Sequence, residues 1–138
     1  EDIVLIHDGV RPLINERLIL DNIECVEKNG NAVTVSKANE TVVLLRSDLV
    51  QKVMDRKFCR IAKAPQCFYL KDIYGCHLKA NAEGRQDFID SAMLMQHYGQ
   101  QIHTVNCSEL NLKITTPMDY YLFKAILDAR ENEQLKTL

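Results

Sequence analysis

Apolar positions along the chain change their period several times, and each change marks an element. Ile3-Val4-Leu5-Ile6 is a short continuous apolar run, the pattern of a strand buried inside a parallel sheet. His7-Asp8-Gly9-Val10-Arg11-Pro12 follows as a loop at the strand's end, with Gly9 suited to a tight turn. Asn15 stands where an N-cap belongs, Leu18, Ile19, Ile23 and Val26 recur at helical spacing, and Gly30 supplies a C-terminal stop. The first unit is therefore βα.

From Ala32 the period falls towards two. Ala32-Val33-Thr34-Val35 and Thr41-Val42-Val43-Leu44-Leu45 read as strands, and Leu49 to Val53 pairs with the latter through a turn at Arg46-Ser47-Asp48. This β-rich insertion, mixed with Lys52, Asp55, Arg56 and Lys57, reads either as a solvated hairpin or as an arm, approximately residues 41–60, that reaches a second subunit. Pro65 then marks extended backbone in Ile61 to Phe68. Leu70 to Ala82 is the next helix, with Leu70, Ile73, Tyr74 and Leu78 on one face, and a short helix from about Asp90 to Tyr98 closes at Gly99, with Ala92, Met93 and Met95 assigned to the core. Ile102 to Val105 and Leu112-Lys113-Ile114 read as short strands. The last helix has the clearest start: Thr116 as N-cap, Pro117 at the first helical position and Asp119 at the third. Met118, Tyr121, Leu122, Ala125, Ile126 and Ala129 form its apolar face, and its end frays within residues 130–138.

Composition narrows this picture modestly. The 138 residues are 46% hydrophobic and 26% charged, and 17 Lys and Arg against 19 Asp and Glu give a net charge of -2. That is enough chain for one real core, residues 1–138 forming a single domain, and it lacks the basic footprint of a general nucleic-acid binder. No apolar run approaches the roughly 18 residues needed to span a bilayer, and no basic-flanked signal peptide opens the chain, so a soluble, cytoplasmic protein without a membrane partner is expected. The five cysteines form no C-x-x-C pair and read as reduced thiols packed like small hydrophobes. A central strand is an unusual opening for a chain. It sets the expectation that preceding βα units are left out or lie on another polypeptide.

Three segments carry candidate chemistry. In open α/β sheets ligands bind beyond the carboxyl ends of strands, where Asp8 can hold a metal ion or a sugar hydroxyl, Gly9 lets a ligand approach the backbone, and Arg11 offers a cationic fork to phosphate. An Asp8–Arg11 ion pair closing the turn is the plainer alternative. Lys113 sits in an apolar stretch just ahead of a helix N-terminus, where an anion would offset the cost of burial. A snorkelling lysine with an ordinary threonine cap is its alternative. Asp55-Arg56, with Thr41, lies at the base of the insertion and is either a surface ion pair or a charge delivered into a site by the arm. His77, His97 and His103 lack metal-ligand spacing.

Taken in order, His7-Asp8-Gly9-Val10-Arg11-Pro12, Glu40-Thr41, Asp55-Arg56, Ala64-Pro65-Gln66-Cys67-Phe68, Asp90-Ser91-Ala92 and Asn111-Leu112-Lys113-Ile114-Thr115-Thr116-Pro117-Met118-Asp119 resemble the methylerythritol-phosphate cytidylyltransferase family. That family also includes ribitol-phosphate and capsule-pathway cytidylyltransferases. The resemblance implies a Rossmann-like α/β nucleotide-diphospho-sugar transferase fold, N-terminally incomplete here, with a β-arm exchanged across a homodimer. It implies transfer of CMP from CTP to a phosphorylated polyol, with release of pyrophosphate and use of Mg2+. By the same resemblance Asp8 and Arg11 lie near nucleotide and metal, Lys113 meets phosphate, and Thr41 and Arg56 come from the partner's arm to the acceptor phosphate. Ala64 and Ile89 stand where the family proper carries threonines near that phosphate, so a ribitol or sugar phosphate is an acceptor as much to be expected as methylerythritol phosphate. The family's N-terminal glycine-rich loop has no counterpart in these residues. The expectation is therefore little or no transferase activity from this chain alone, the alternative being a catalytically silent dimerisation module.

Overall fold

The computed structural model describes residues 1–132. Its main sheet has the order β1-β5-β2-β6, formed by β1 (Ile3–Ile6), β5 (Arg60–Tyr69), β2 (Asn31–Lys37) and β6 (Thr104–Asn106). α1 (Glu16–Asn29) covers one face, and α2 (Leu70–Ala82) and α3 (Ser91–His97) cover the other. Strand alternation explains the layering. Ala32 and Cys67 turn towards Val26 of α1, whereas Val33, Val35 and Phe68 turn towards Ile73, Cys76, Leu94 and Met95. A third cluster, Leu13, Leu112 and Ile126, seats α4 (Pro117–Glu131) against the loops.

Helix ends follow their sequence signals closely. The Asn15 side chain accepts from the Leu18 N–H, and Gly30 adopts a left-handed φ of 92° as its N–H caps Val26. Thr116 and Asp119 form a full capping box, with Pro117 in the first turn. The expected fraying beyond residue 132 lies outside the described residues.

Several expectations are corrected. Among the described residues β1 pairs with β5 and does so antiparallel, and the one parallel pair is β2 with β6. A four-residue apolar run does not encode strand direction. Leu112-Lys113-Ile114 is not a strand; the Ile114 N–H instead donates to the Val10 carbonyl at 2.9 Å, tying two loops together. On α2 the buried stripe is Ile73, Cys76 and Ala80, with Leu70, Tyr74 and Leu78 exposed. On α3 Leu94 joins Met95 in the core while Met93 faces solvent. On α4 only Ile126 is fully buried, and Met118, Tyr121 and Leu122 are exposed. Gly9 has no left-handed φ, so the turn that its neighbours close, Arg11 N–H to Asp8 carbonyl at 3.0 Å, does not require glycine for its backbone.

β3 (Val43–Arg46) and β4 (Leu49–Val53) form a separate antiparallel hairpin. Every residue of both strands is exposed, including Leu45 and Leu49. The cysteines are all free, and burial pushes the Cys67 thiol up to about 12, an inert core group. Among the described residues no helix is long and apolar enough to cross a membrane.

Candidate functional site

The site is organised by an irregularity in β5. Val33 of β2 pairs with Gln66 and Val35 pairs with Ala62, so two steps along β2 correspond to four along β5. Lys63, Ala64 and Pro65 therefore arch out of the ladder, and bulges of this type re-aim side chains next to sites. Arching frees carbonyls that must find donors. The Pro65 carbonyl accepts from the buried Thr34 hydroxyl at 2.7 Å, and Thr34 in turn accepts from Asn22 of α1 at 3.1 Å. The Ala64 carbonyl accepts from Asn111 Nδ2 at 2.8 Å.

Asn111, almost wholly buried, then acts as a hub. Its carbonyl accepts from Arg11 Nη1 at 2.8 Å and from Lys63 Nζ at 3.1 Å. Arg11 is itself 8% exposed and donates through Nε to Asp8 Oδ2 at 2.8 Å, while Lys113 Nζ donates to the other Asp8 oxygen at 3.3 Å. His7 Nε2 donates to the Arg11 carbonyl at 3.0 Å. These bonds lock the loop after β1 to the segment before α4. The Arg11 hydrogen bond holds the Asp8 carboxyl below the usual aspartate range, with Lys113 adding to the effect against partial burial. Burial, followed by the Arg11 charge, disfavours the Lys63 ammonium.

A cleft of about 360 Å³ opens over this network, lined among others by Asp8, Arg11, Lys63, Ala64, Ile89 and Lys113, a volume in the range of small-molecule sites. Its far wall is fixed by Gln66, which donates to Asp90 Oδ2 at 3.0 Å and accepts from the Ala92 N–H at 2.9 Å. Asp90 Oδ1 caps α3 through the Met93 N–H.

The family resemblance implied one site for Asp8, Arg11 and Lys113, which the residues alone offered as two candidates, and the structure brings these three together. Both alternatives also have a part in the arrangement. Asp8 and Arg11 do form the ion pair that closes the turn, and Lys113 is nearly half exposed. Thr41 and Arg56 are elsewhere: Thr41 is exposed ahead of β3, and Arg56, exposed in a 3-10 turn over Arg56–Phe58, donates to the Asn39 carbonyl at 2.6 Å. Asp55 caps that turn through the Lys57 N–H, so its carboxylate serves the backbone. Lys63, Gln66 and the hub role of Asn111 were missed. A charged residue between two alanines immediately before Pro65 was the available signal for Lys63.

Known proteins resemble this chain in both sequence and fold. The sequence model of the 2-C-methyl-D-erythritol 4-phosphate cytidylyltransferase family matches residues 1–129. A ribitol-5-phosphate cytidylyltransferase of Streptococcus agalactiae serotype Ia is 52% identical over 134 residues, 96% of this chain and 56% of that protein. Its namesake in Vibrio parahaemolyticus is 48% identical over the same shares. The crystal structure of 4-diphosphocytidyl-2C-methyl-D-erythritol synthase from Anaerococcus prevotii superposes with a TM-score of 0.83 at 31% identity, covering 93% of this chain and 59% of that one. The chain thus spans a little over half the length of the curated relatives it matches.

Proposed function

Because the chain belongs to the 2-C-methyl-D-erythritol 4-phosphate cytidylyltransferase family, we propose that it contributes the acceptor side of an enzyme transferring CMP from CTP to a phosphorylated polyol, with ribitol 5-phosphate as the favoured acceptor. The ribitol assignment is supported by the 52% identical relative of that name. The observation that carries the reading is the cleft itself, where Arg11 and Lys113 both bond Asp8 and a third cation, Lys63, lines the same wall.

The chemistry matches this set of residues. An oxygen of the acceptor phosphate attacks the α-phosphorus of CTP in line, the bond to the bridging oxygen breaks, and pyrophosphate leaves. Two anions must approach, so positive charge and positioning matter more than a general base. Lys113 and Arg11 supply fixed positive charge, and the buried Asn111 hub holds Arg11 in place. The Asp8 carboxylate is ionised by its partners and one-third exposed. Such a group fits Mg2+, which binds through one or two carboxylates with phosphates and water completing its shell. When bound, Mg2+ would offset charge on the triphosphate.

The exposed apolar hairpin supports a homodimer in which the arm of one copy covers the cleft of the other and brings Thr41 and Arg56 to the acceptor phosphate. An isolated two-stranded hairpin is marginal in water, and its open edges and apolar faces favour docking. The 138 residues alone are expected to release little pyrophosphate from CTP, Mg2+ and polyol phosphates. Ordinary enzymatic rates would contradict that part and leave the cleft assignment intact.

Calorimetric titration with ribitol 5-phosphate and 2-C-methyl-D-erythritol 4-phosphate tests the reading. The former should bind more tightly, and Lys113→Ala should weaken it by about tenfold or more, the scale of one charge-assisted hydrogen bond. Absence of binding to either, or indifference to Lys113→Ala, would overturn it.

A further inference from the structure

Lys63 is the cation of the cleft that has no contact ion pair among the described residues, Glu109 acting on it only from longer range. Asp8 engages Arg11 with one oxygen and Lys113 with the other. Asp90, the second carboxylate of the cleft, is taken up by Gln66 and by the N-terminus of α3. No carboxylate among the described residues comes within 4.0 Å of Lys63 Nζ, whose one hydrogen bond goes to the Asn111 carbonyl. That carbonyl already serves Arg11, so two cations share one neutral acceptor. An ammonium carries three donors, which leaves two of those on Lys63 unused at the cleft wall.

The surrounding backbone makes this placement specific. Lys63 is on the arch of β5, and the Pro65 and Ala64 carbonyls of that arch are tied down, one to Thr34 and one to Asn111. The side chain therefore springs from a braced backbone, unlike a lysine on a free loop. Ala64 and Ile89 of the same lining are apolar, and the cleft's other cations, Arg11 and Lys113, are already engaged by Asp8. A half-buried cation with spare donors beside apolar neighbours is stabilised by an incoming anion.

We infer that Lys63 is a substrate-binding residue, donating to a phosphate group that enters the cleft between the β5 arch and Lys113. The inference rests on the phosphate-handling reading above and adds a residue to it. Two substrates carry such a group, the polyol phosphate and the CTP triphosphate, and the experiment separates them.

Titrations would use ribitol 5-phosphate, CTP, unphosphorylated ribitol and inorganic phosphate with the wild-type chain, Lys63→Met and Lys63→Arg. Thermal unfolding of each variant would be followed in parallel. The expected result is a loss of about tenfold or more with Lys63→Met for one phosphorylated substrate, which identifies the source, no change for ribitol, and recovery in Lys63→Arg. Wild-type affinity of Lys63→Met for both phosphorylated ligands would overturn the inference and leave the proposed function standing. So would a lowered unfolding temperature with equal loss of ribitol and ribitol 5-phosphate, since Lys63 would then be a brace for Asn111. If the wild type binds neither ribitol 5-phosphate nor CTP, the proposed function fails. The inference then survives only if inorganic phosphate binds and does so through Lys63.

Discussion

The cleft and the β3–β4 hairpin differ in how far their own chain supplies partners for what they display. Around the cleft most polar groups have an internal partner, His7 Nδ1 and Asn111 Oδ1 excepted: the Ala64 and Pro65 carbonyls meet Asn111 and Thr34, Arg11 meets Asp8, and Gln66 bridges to α3. In the hairpin, Leu49 is 75% exposed and the nearby Phe58 87% exposed, and the strands hold only each other. One region is braced largely by hydrogen bonds within its own chain. The other displays apolar surface that a chain alone has no reason to keep exposed. The positioning of Asp8, Arg11, Lys63 and Lys113 is thus a property of the fold, whereas the role proposed for Thr41 and Arg56 depends on the proposed assembly.

Substitution can break this contrast. Phe68→Ala, which empties the core between β5 and α2, should lower stability by about 3–5 kcal/mol in denaturant unfolding. Phe58→Ala should change the unfolding of the dilute chain by less than about 0.5 kcal/mol and act instead on the concentration dependence of molecular mass. A large effect of Phe58→Ala on the dilute chain would place the arm within the fold. Next in size, Thr34→Val removes the donor to Pro65 and should cost about 1–3 kcal/mol, because a buried carbonyl is left unpaired.

The smallest effect is on acid stability. The folded Asp8 carboxyl titrates below its ordinary value of 3.8, so the unfolded chain binds its proton first as the pH falls. The contribution of Asp8 is therefore fully present above that value and is lost as the pH drops towards its lower folded value. Asp119, held low by the Thr115 and Thr116 donors, acts in the same direction. Unfolding midpoints followed from pH 6 downward should fall less steeply in Asp8→Asn than in the wild type, and parallel curves would contradict the assignment.

Local signals were read well where one residue has one physical task. Asn15, Gly30, Thr116 and Asp119 cap as their chemistry requires, and the limits of α2 and β4 match their patterns. What stayed hidden depends on partners distant in sequence. Strand direction at β1 is decided by β5, and the arch at residues 63–65 is visible only once the register against β2 is known. Asn111 became a hub because Ala64, Arg11 and Lys63 converge on it across the fold. The apolar spacings of α2 and α4 were genuine, but the packed stripe of α2 is rotated from Leu70, Tyr74 and Leu78, and α4 packs little beyond Ile126. Resemblance to a family supplied the site that spacing alone left ambiguous.

The central claim, that each working site joins the cleft of one copy to the arm of another, is tested most directly by mixing two defective chains. Arg56→Ala and Lys113→Ala should each weaken binding of ribitol 5-phosphate by about tenfold or more when alone. Co-refolded in equal amounts, they should regain wild-type affinity at about a quarter of the sites, since half of a random mixture is heterodimer with one intact site each. No recovery in a mixture shown to contain heterodimers would contradict the account.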